Sequence, residues 1–215
     1  MYILKSLSKV LLFVFVLAFV SQINAQNGAS TTGDDLITAF KESYMYESKG
    51  QFSDAINSLN KVYDKNIYEI NLRLGWLYYE NKQYQESVQY YQTSINLMPY
   101  SVEAKLGIVL PLAAFEDWTK VAEQYISILS IDPNNSSVNY KLGMIYYYKP
   151  DYEAAYKCFE KVVNMYPFDY YSSLMFAWSN YQLGKTREAE VLFNKVLLIS
   201  PDDTSAQEGL ALLRK

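Results

Sequence analysis

Residues 136–169 read SSVNYKLGMIYYYKPDYEAAYKCFEKVVNMYPFD, and this stretch decides the fold. Leu142-Gly143, Tyr146 and the Met144/Tyr147/Tyr148 group recur at helical spacing over its first half. Lys149-Pro150-Asp151 interrupts the pattern. A second helical run follows from Tyr152 through Ala155 and Phe159, and Pro167 ends it, because proline cannot continue a helix. The stretch therefore reads as two helices joined by a tight turn.

Pro99, Pro133, Pro167 and Pro201 stand 34 residues apart, so the same unit recurs in phase. With each proline at the thirty-second place, units cover 68–101, 102–135, 136–169 and 170–203, behind a shorter 36–67. The eighth place holds Ser43, Gly75, Val109, Gly143 and Ala177; the twentieth holds Ala55, Ser87, Val121, Ala155 and Ala189. Small residues in both columns let two helices approach closely. The twenty-fourth place is always large: Leu59, Tyr91, Tyr125, Phe159 and Phe193, a wedge against the next unit. Residues 204–215 start one more first helix, with an apolar side suited to capping the array.

The third unit departs from this frame. Gly107 sits two places early and Pro111 falls inside the first helix, which is expected to be kinked or shortened there.

Ahead of the repeats, Lys5 and Lys9 precede an unbroken apolar run from Val10 to Val20, and Ile23-Asn24-Ala25 offers a small residue before a cleavage point. Residues 1–25 read as a signal peptide cut after Ala25, with an uncleaved anchor as the alternative. The 11-residue run is shorter than the roughly 20 residues that span a bilayer. No integral span is expected after cleavage. Residues 26–34 are small and polar and read as a flexible leader. Export to the periplasm or the extracellular space, in a bacterial envelope, is the expectation.

Removing the signal leaves 17 basic against 23 acidic residues, a net charge of −6. Such a body gains nothing from a phosphate backbone, so a nucleic-acid partner is not expected. The chain contains no histidine and one cysteine, Cys158, beside Phe159 on a helix, where a thiol packs as a small apolar residue. Glu116-Asp117 and Asp202-Asp203 fit helix caps at turns. No catalytic, cofactor-binding or metal-ligating set emerges, and an enzyme is not expected. Asn134-Asn135-Ser136-Ser137 contains two overlapping glycosylation triplets, meaningful only in a eukaryotic secretory protein.

The columns resemble the tetratricopeptide repeat, best at Leu74-Gly75 with Tyr78, Tyr84 and Pro99, and at Leu142-Gly143 with Tyr146, Tyr152, Ala155, Phe159 and Pro167. The resemblance covers five repeats over 35–203 and implies an all-α fold, a right-handed α-solenoid of antiparallel helix pairs. It is weak in the family's fourth column. It also implies that first helices line a concave groove for another protein or a peptide. Carried onto this chain, the groove places hold Phe40, Tyr44, Leu72, Trp76, Tyr79, Tyr140, Met144, Tyr147, Tyr148, Tyr171, Trp178 and Tyr181. This lining is aromatic, not basic: Phe40, Tyr44, Glu103 and Gly107 stand where a carboxylate clamp would need lysine, asparagine or arginine. The resemblance thus implies a non-enzymatic scaffold for a segment of an envelope protein. Stacking of the same rings on a glycan or cell-wall fragment is the alternative, with Glu80 and Gln182 as its polar neighbours.

Overall fold

A computed structural model describes residues 32–214. The signal peptide expected over 1–25, and residues 26–31 of the leader, lie outside the described residues. The described residues form eleven α-helices and no strand. The chain divides into two compact units, one ending at Tyr63 and one beginning at Asp64.

The first unit contains α1 (Gly33–Glu47) and α2 (Phe52–Asn60). The leader was expected to reach Asp34, but the helix starts at Gly33. Its start is set by a reciprocal cap, in which Thr32 Oγ1 accepts from the Asp35 N–H (3.2 Å) and Asp35 Oδ2 accepts from the Thr32 N–H (3.1 Å). The Asp35 carboxyl titrates below its ordinary value because the Thr32 hydroxyl and N–H both stabilise its charged form.

The second unit contains α3 (Tyr68–Glu80), α4 (Tyr84–Leu97), α5 (Val102–Ala114), α6 (Trp118–Ile131), α7 (Ser136–Tyr148), α8 (Tyr152–Met165), α9 (Tyr170–Gln182), α10 (Thr186–Ile199) and α11 (Thr204–Leu213). First helices have 13 residues and second helices 14, pair after pair. The solenoid of antiparallel helix pairs expected from the 34-residue period is the fold of this unit.

Each hairpin closes in the same way. The N–H three residues past the first helix's last residue reaches back across five positions: Gln83 to the Tyr78 carbonyl, Asp117 to Leu112, Asp151 to Tyr146 and Lys185 to Asn180, at 2.9 to 3.0 Å. That closure needs a left-handed residue just before the donor. Gly184 supplies it at φ 72°; Lys82 and Glu116 do the same at 61° and 57°, against their side chains' preference.

Between paired helices, the small columns meet as their sizes allow. The Ser87 hydroxyl donates to the Gly75 carbonyl at 2.7 Å, fully buried. The large column is the core: Phe159 and Phe193 are completely buried, and Tyr91 and Tyr125 nearly so. Cys158 packs half-buried against the same core, and burial pushes its thiol up to about 11.

The third unit corrects one expectation. Helix α5 runs unbroken through Pro111 and keeps 13 residues, so it is not shortened. Pro111 and its neighbour Leu112 are buried, and this packing offsets the hydrogen bond that proline removes from the Gly107 carbonyl. Gly107 also has a physical reason. The Tyr91 ring fills the place where its Cβ would be, 2.2 Å from Cε1.

Candidate functional site

The predicted groove residues fall into three groups. In the first unit, Phe40 is half-buried and Tyr44 is 54% exposed, with ring centroids 6.4 Å apart. These two are described with their own unit only.

In the second unit, Leu72, Trp76 and Tyr79 on α3 belong as much to packing as to a free face. Leu72 and Trp76 rest against the buried cluster around Tyr91, Ile108 and Leu112. A line of rings leads outward from there: Trp76 to Tyr79 at 5.9 Å, Tyr79 to Tyr84 at 5.8 Å, and Tyr84 edge-on to Phe115 at 5.9 Å. Trp178 is likewise engaged. Its indole N–H donates to Ser205 Oγ at 2.9 Å, and its ring meets Phe193 edge-on at 5.0 Å and Tyr181 at 5.6 Å. This tryptophan joins α9, α10 and α11.

The third group, on α7 and α9, is the most open. Tyr148 is 75% exposed and Tyr171 is 65% exposed. Tyr147 lies half-buried beside Tyr148 (6.0 Å) and Tyr152 (5.4 Å). Burial raises its phenol, partly countered by a hydrogen bond with Gln182. Tyr140 bridges Phe159 (5.8 Å) and Tyr171 (6.5 Å), and desolvation raises its phenol too.

Met144 and Tyr148 also line a pocket of about 540 Å³ between α6 and α7, together with Trp118, Tyr125, Lys141, Ile145 and Lys149. Its walls are mainly apolar, and its charged members are the two lysines. Sequence reasoning missed it because Trp118 and Tyr125 belong to a second helix. The signal was nonetheless present in spacing. Tyr91 and Phe193 each press on a glycine sixteen residues later, Gly107 and Gly209, at 2.2 and 2.3 Å from the missing Cβ. Sixteen residues after Tyr125 stands Lys141. A glycine lets the next helix lie directly on the ring, and here that place is taken by a lysine that lines the pocket.

A second missed feature lies in the fourth place, the column in which the family pattern is weak. Asn71 donates to the Lys65 and Ile67 carbonyls at 3.0 and 2.7 Å, and Asn139 to those of Pro133 and Asn135 at 3.1 and 2.8 Å. Each buried amide thus ties a first helix to the turn before it. Two tyrosines at the first place add a tie between units. The Tyr68 hydroxyl bonds Ser101 Oγ at 2.7 Å, and the Tyr170 hydroxyl donates to Asp203 Oδ2; both partners cap the next first helix.

Among the described residues no group of histidine, cysteine and carboxylate side chains could hold a metal ion, and no helix is long and apolar enough to cross a membrane. The helix-pair surface offers rings, a lysine-edged apolar pocket and backbone-satisfied turns, which is the chemistry of contact.

Comparison with known proteins agrees with this geometry. The tetratricopeptide-repeat family models match residues 68–101 and 136–169. No curated protein sequence matches the chain. Among solved structures, that of a MamA protein superposes with a TM-score of 0.68 at 20% identity, covering 79% of this chain and 94% of that one. A tetratricopeptide repeat protein from Parabacteroides merdae ATCC 43184 gives 0.69 at 20% identity, over 84% and 73%. MamA from Desulfovibrio magneticus RS-1, residue 41 to its end, gives 0.65 at 18%, over 80% and 98%. At this identity the likenesses concern the fold, and the matched family describes repeats that act as protein-interaction scaffolds. The chain is a tetratricopeptide-repeat protein with several repeats.

Proposed function

We propose that this protein is an exported, non-enzymatic scaffold of a bacterial envelope that takes a segment of another envelope protein on the aromatic face of its first helices. One observation carries the reading: Tyr148 and Tyr171, on successive first helices, leave most of their rings in water although neighbouring tyrosines are packed. Rings with a polar tip tolerate water in the free protein and give large contact area in a complex. Beside Tyr148 the apolar pocket extends this face.

Affinity capture from the native envelope tests the reading. The double substitution Tyr148→Ala with Tyr171→Ala changes exposed side chains and leaves the core columns intact. Loss of a partner that the parent retains is expected; retention of every partner overturns the proposed face. Export is tested by the amino terminus of the protein recovered from its cells. A start at Gln26 is expected, and a cytoplasmic chain retaining Met1 contradicts it. We retain peptide over glycan because Gln182, a polar neighbour that sugar stacking would use, is held by Tyr147.

A further inference from the structure

The pocket between α6 and α7 differs in charge from the molecule around it. The body is acidic, yet the charged side chains lining this pocket are Lys141 and Lys149. Other pockets of the second unit differ: one pairs Arg187 with Glu188, and another carries Asp169. Lys141 is exposed and makes no hydrogen bond or ion pair among the described residues. The Lys149 ammonium donates to the Thr119 hydroxyl at 3.2 Å and lies within electrostatic reach of Asp117, whose carboxylate is bound by Lys120 at 2.8 Å. Neither ammonium is neutralised by a carboxylate at contact distance. Between them lies an apolar cavity walled by Tyr125 and Met144 and flanked by Trp118 and Tyr148, which are 47% and 75% exposed.

Resting on the scaffold reading above, we propose that this pocket is the anchor site, and that its occupant is an acidic segment of the partner protein carrying one large apolar side chain. The apolar side chain enters the cavity and lies between Trp118 and Tyr148. Carboxylates flanking it on the partner meet Lys141 and Lys149. Charge favours the segment: two lysines with no carboxylate at contact distance stand together on an otherwise acidic body. Volume admits the anchor, since about 540 Å³ has room for the bulkiest apolar side chain with part of the backbone that carries it.

The test uses the full chain, isotope-labelled for amide NMR. Its probes are a capped hexapeptide with phenylalanine and leucine at the centre and two glutamates on each side, and the same peptide with lysines for glutamates. The glutamate peptide should move amides in 118–125 and 141–149 in a saturable way, and the lysine peptide should not. Lys141→Glu with Lys149→Glu should weaken the glutamate peptide by about tenfold or more and admit the lysine peptide. That rescue separates charge recognition from misfolding.

No shifts with the glutamate peptide, or equal shifts with both peptides, overturn the inference. So do larger shifts from phenylpropanoate at equal concentration, which would make the site one for small anions. Shifts that appear on raising protein concentration without peptide would make it a contact between copies, with the same consequence. A partner captured through Tyr148 and Tyr171 but indifferent to the lysine reversal would overturn this anchor and leave the scaffold reading intact.

Discussion

The ring of Tyr91 occupies the space of the side chain that Gly107 lacks. A Cβ on Gly107 would stand 2.2 Å from Cε1 of that ring, while Gly75 leaves room on its other side. One aromatic residue is therefore held between a glycine of its own unit and a glycine of the next. Half of this arrangement recurs at the end of the array, where Phe193 lies against Gly209 of the following helix while its own unit has Ala177 in place of a glycine.

Gly107→Ala should destabilise the protein by about 1–3 kcal/mol, although alanine favours helix, because the buried ring cannot move aside. Chemical denaturation measures this. Tyr91→Leu in the same chain should recover part of the loss, and a double-mutant cycle with no coupling would show that ring and glycine do not share a space.

Lys82 and Glu116 sit in left-handed backbone where their repeats close, the conformation Gly184 adopts freely. Lys82→Gly and Glu116→Gly should each stabilise by about 0.5–1 kcal/mol, the left-handed penalty less the entropy of a freer unfolded chain. A fall in melting temperature would contradict the account of these turns.

Ser173 stands in the column of Asn71 and Asn139, and its buried hydroxyl has no hydrogen-bond partner. By their pattern, an asparagine there would donate to the turn around Pro167. Ser173→Asn should raise stability by about 1 kcal/mol, read as a shift in denaturation midpoint at unchanged slope.

Alkali should unfold the protein through its tyrosines. The hydrogen bond to Asp203 is the main reason that the Tyr170 phenol is pushed up to about 12, and burial raises Tyr91 and Tyr125. These groups hold their protons more tightly when folded. Their stabilisation is complete below about pH 10, the ordinary phenol value, and is lost as pH rises through the folded values. Phenolate absorbance and helical circular dichroism should change together above pH 10. Tyr170→Phe should remove part of this dependence.

The helix pairs were legible because Pro99, Pro133, Pro167 and Pro201 punctuate a sequence whose small and large columns keep phase. The start of α1 was misplaced because Thr32 and Asp35 act as a reciprocal cap, a polar signal that hydrophobic periodicity ignores. Gly107 read as an irregularity, since its purpose lies sixteen residues back, in the rotation between one unit and the next. The site was partly legible. The groove places indicated Tyr148 and Tyr171, which are open, but equally Trp178, whose bond to Ser205 depends on how α11 docks. The pocket escaped notice because it combines a second helix with the following first helix, while the groove pattern counts first helices alone.

The most direct measurement is site-specific photo-cross-linking in the native envelope. A photoreactive phenylalanine analogue replaces Tyr148 in one chain and Leu198, equally exposed on the second helix α10, in another. The account predicts a discrete adduct with a partner protein from position 148 and none from position 198. Adducts from position 198 alone, or an identical set from both, would contradict it.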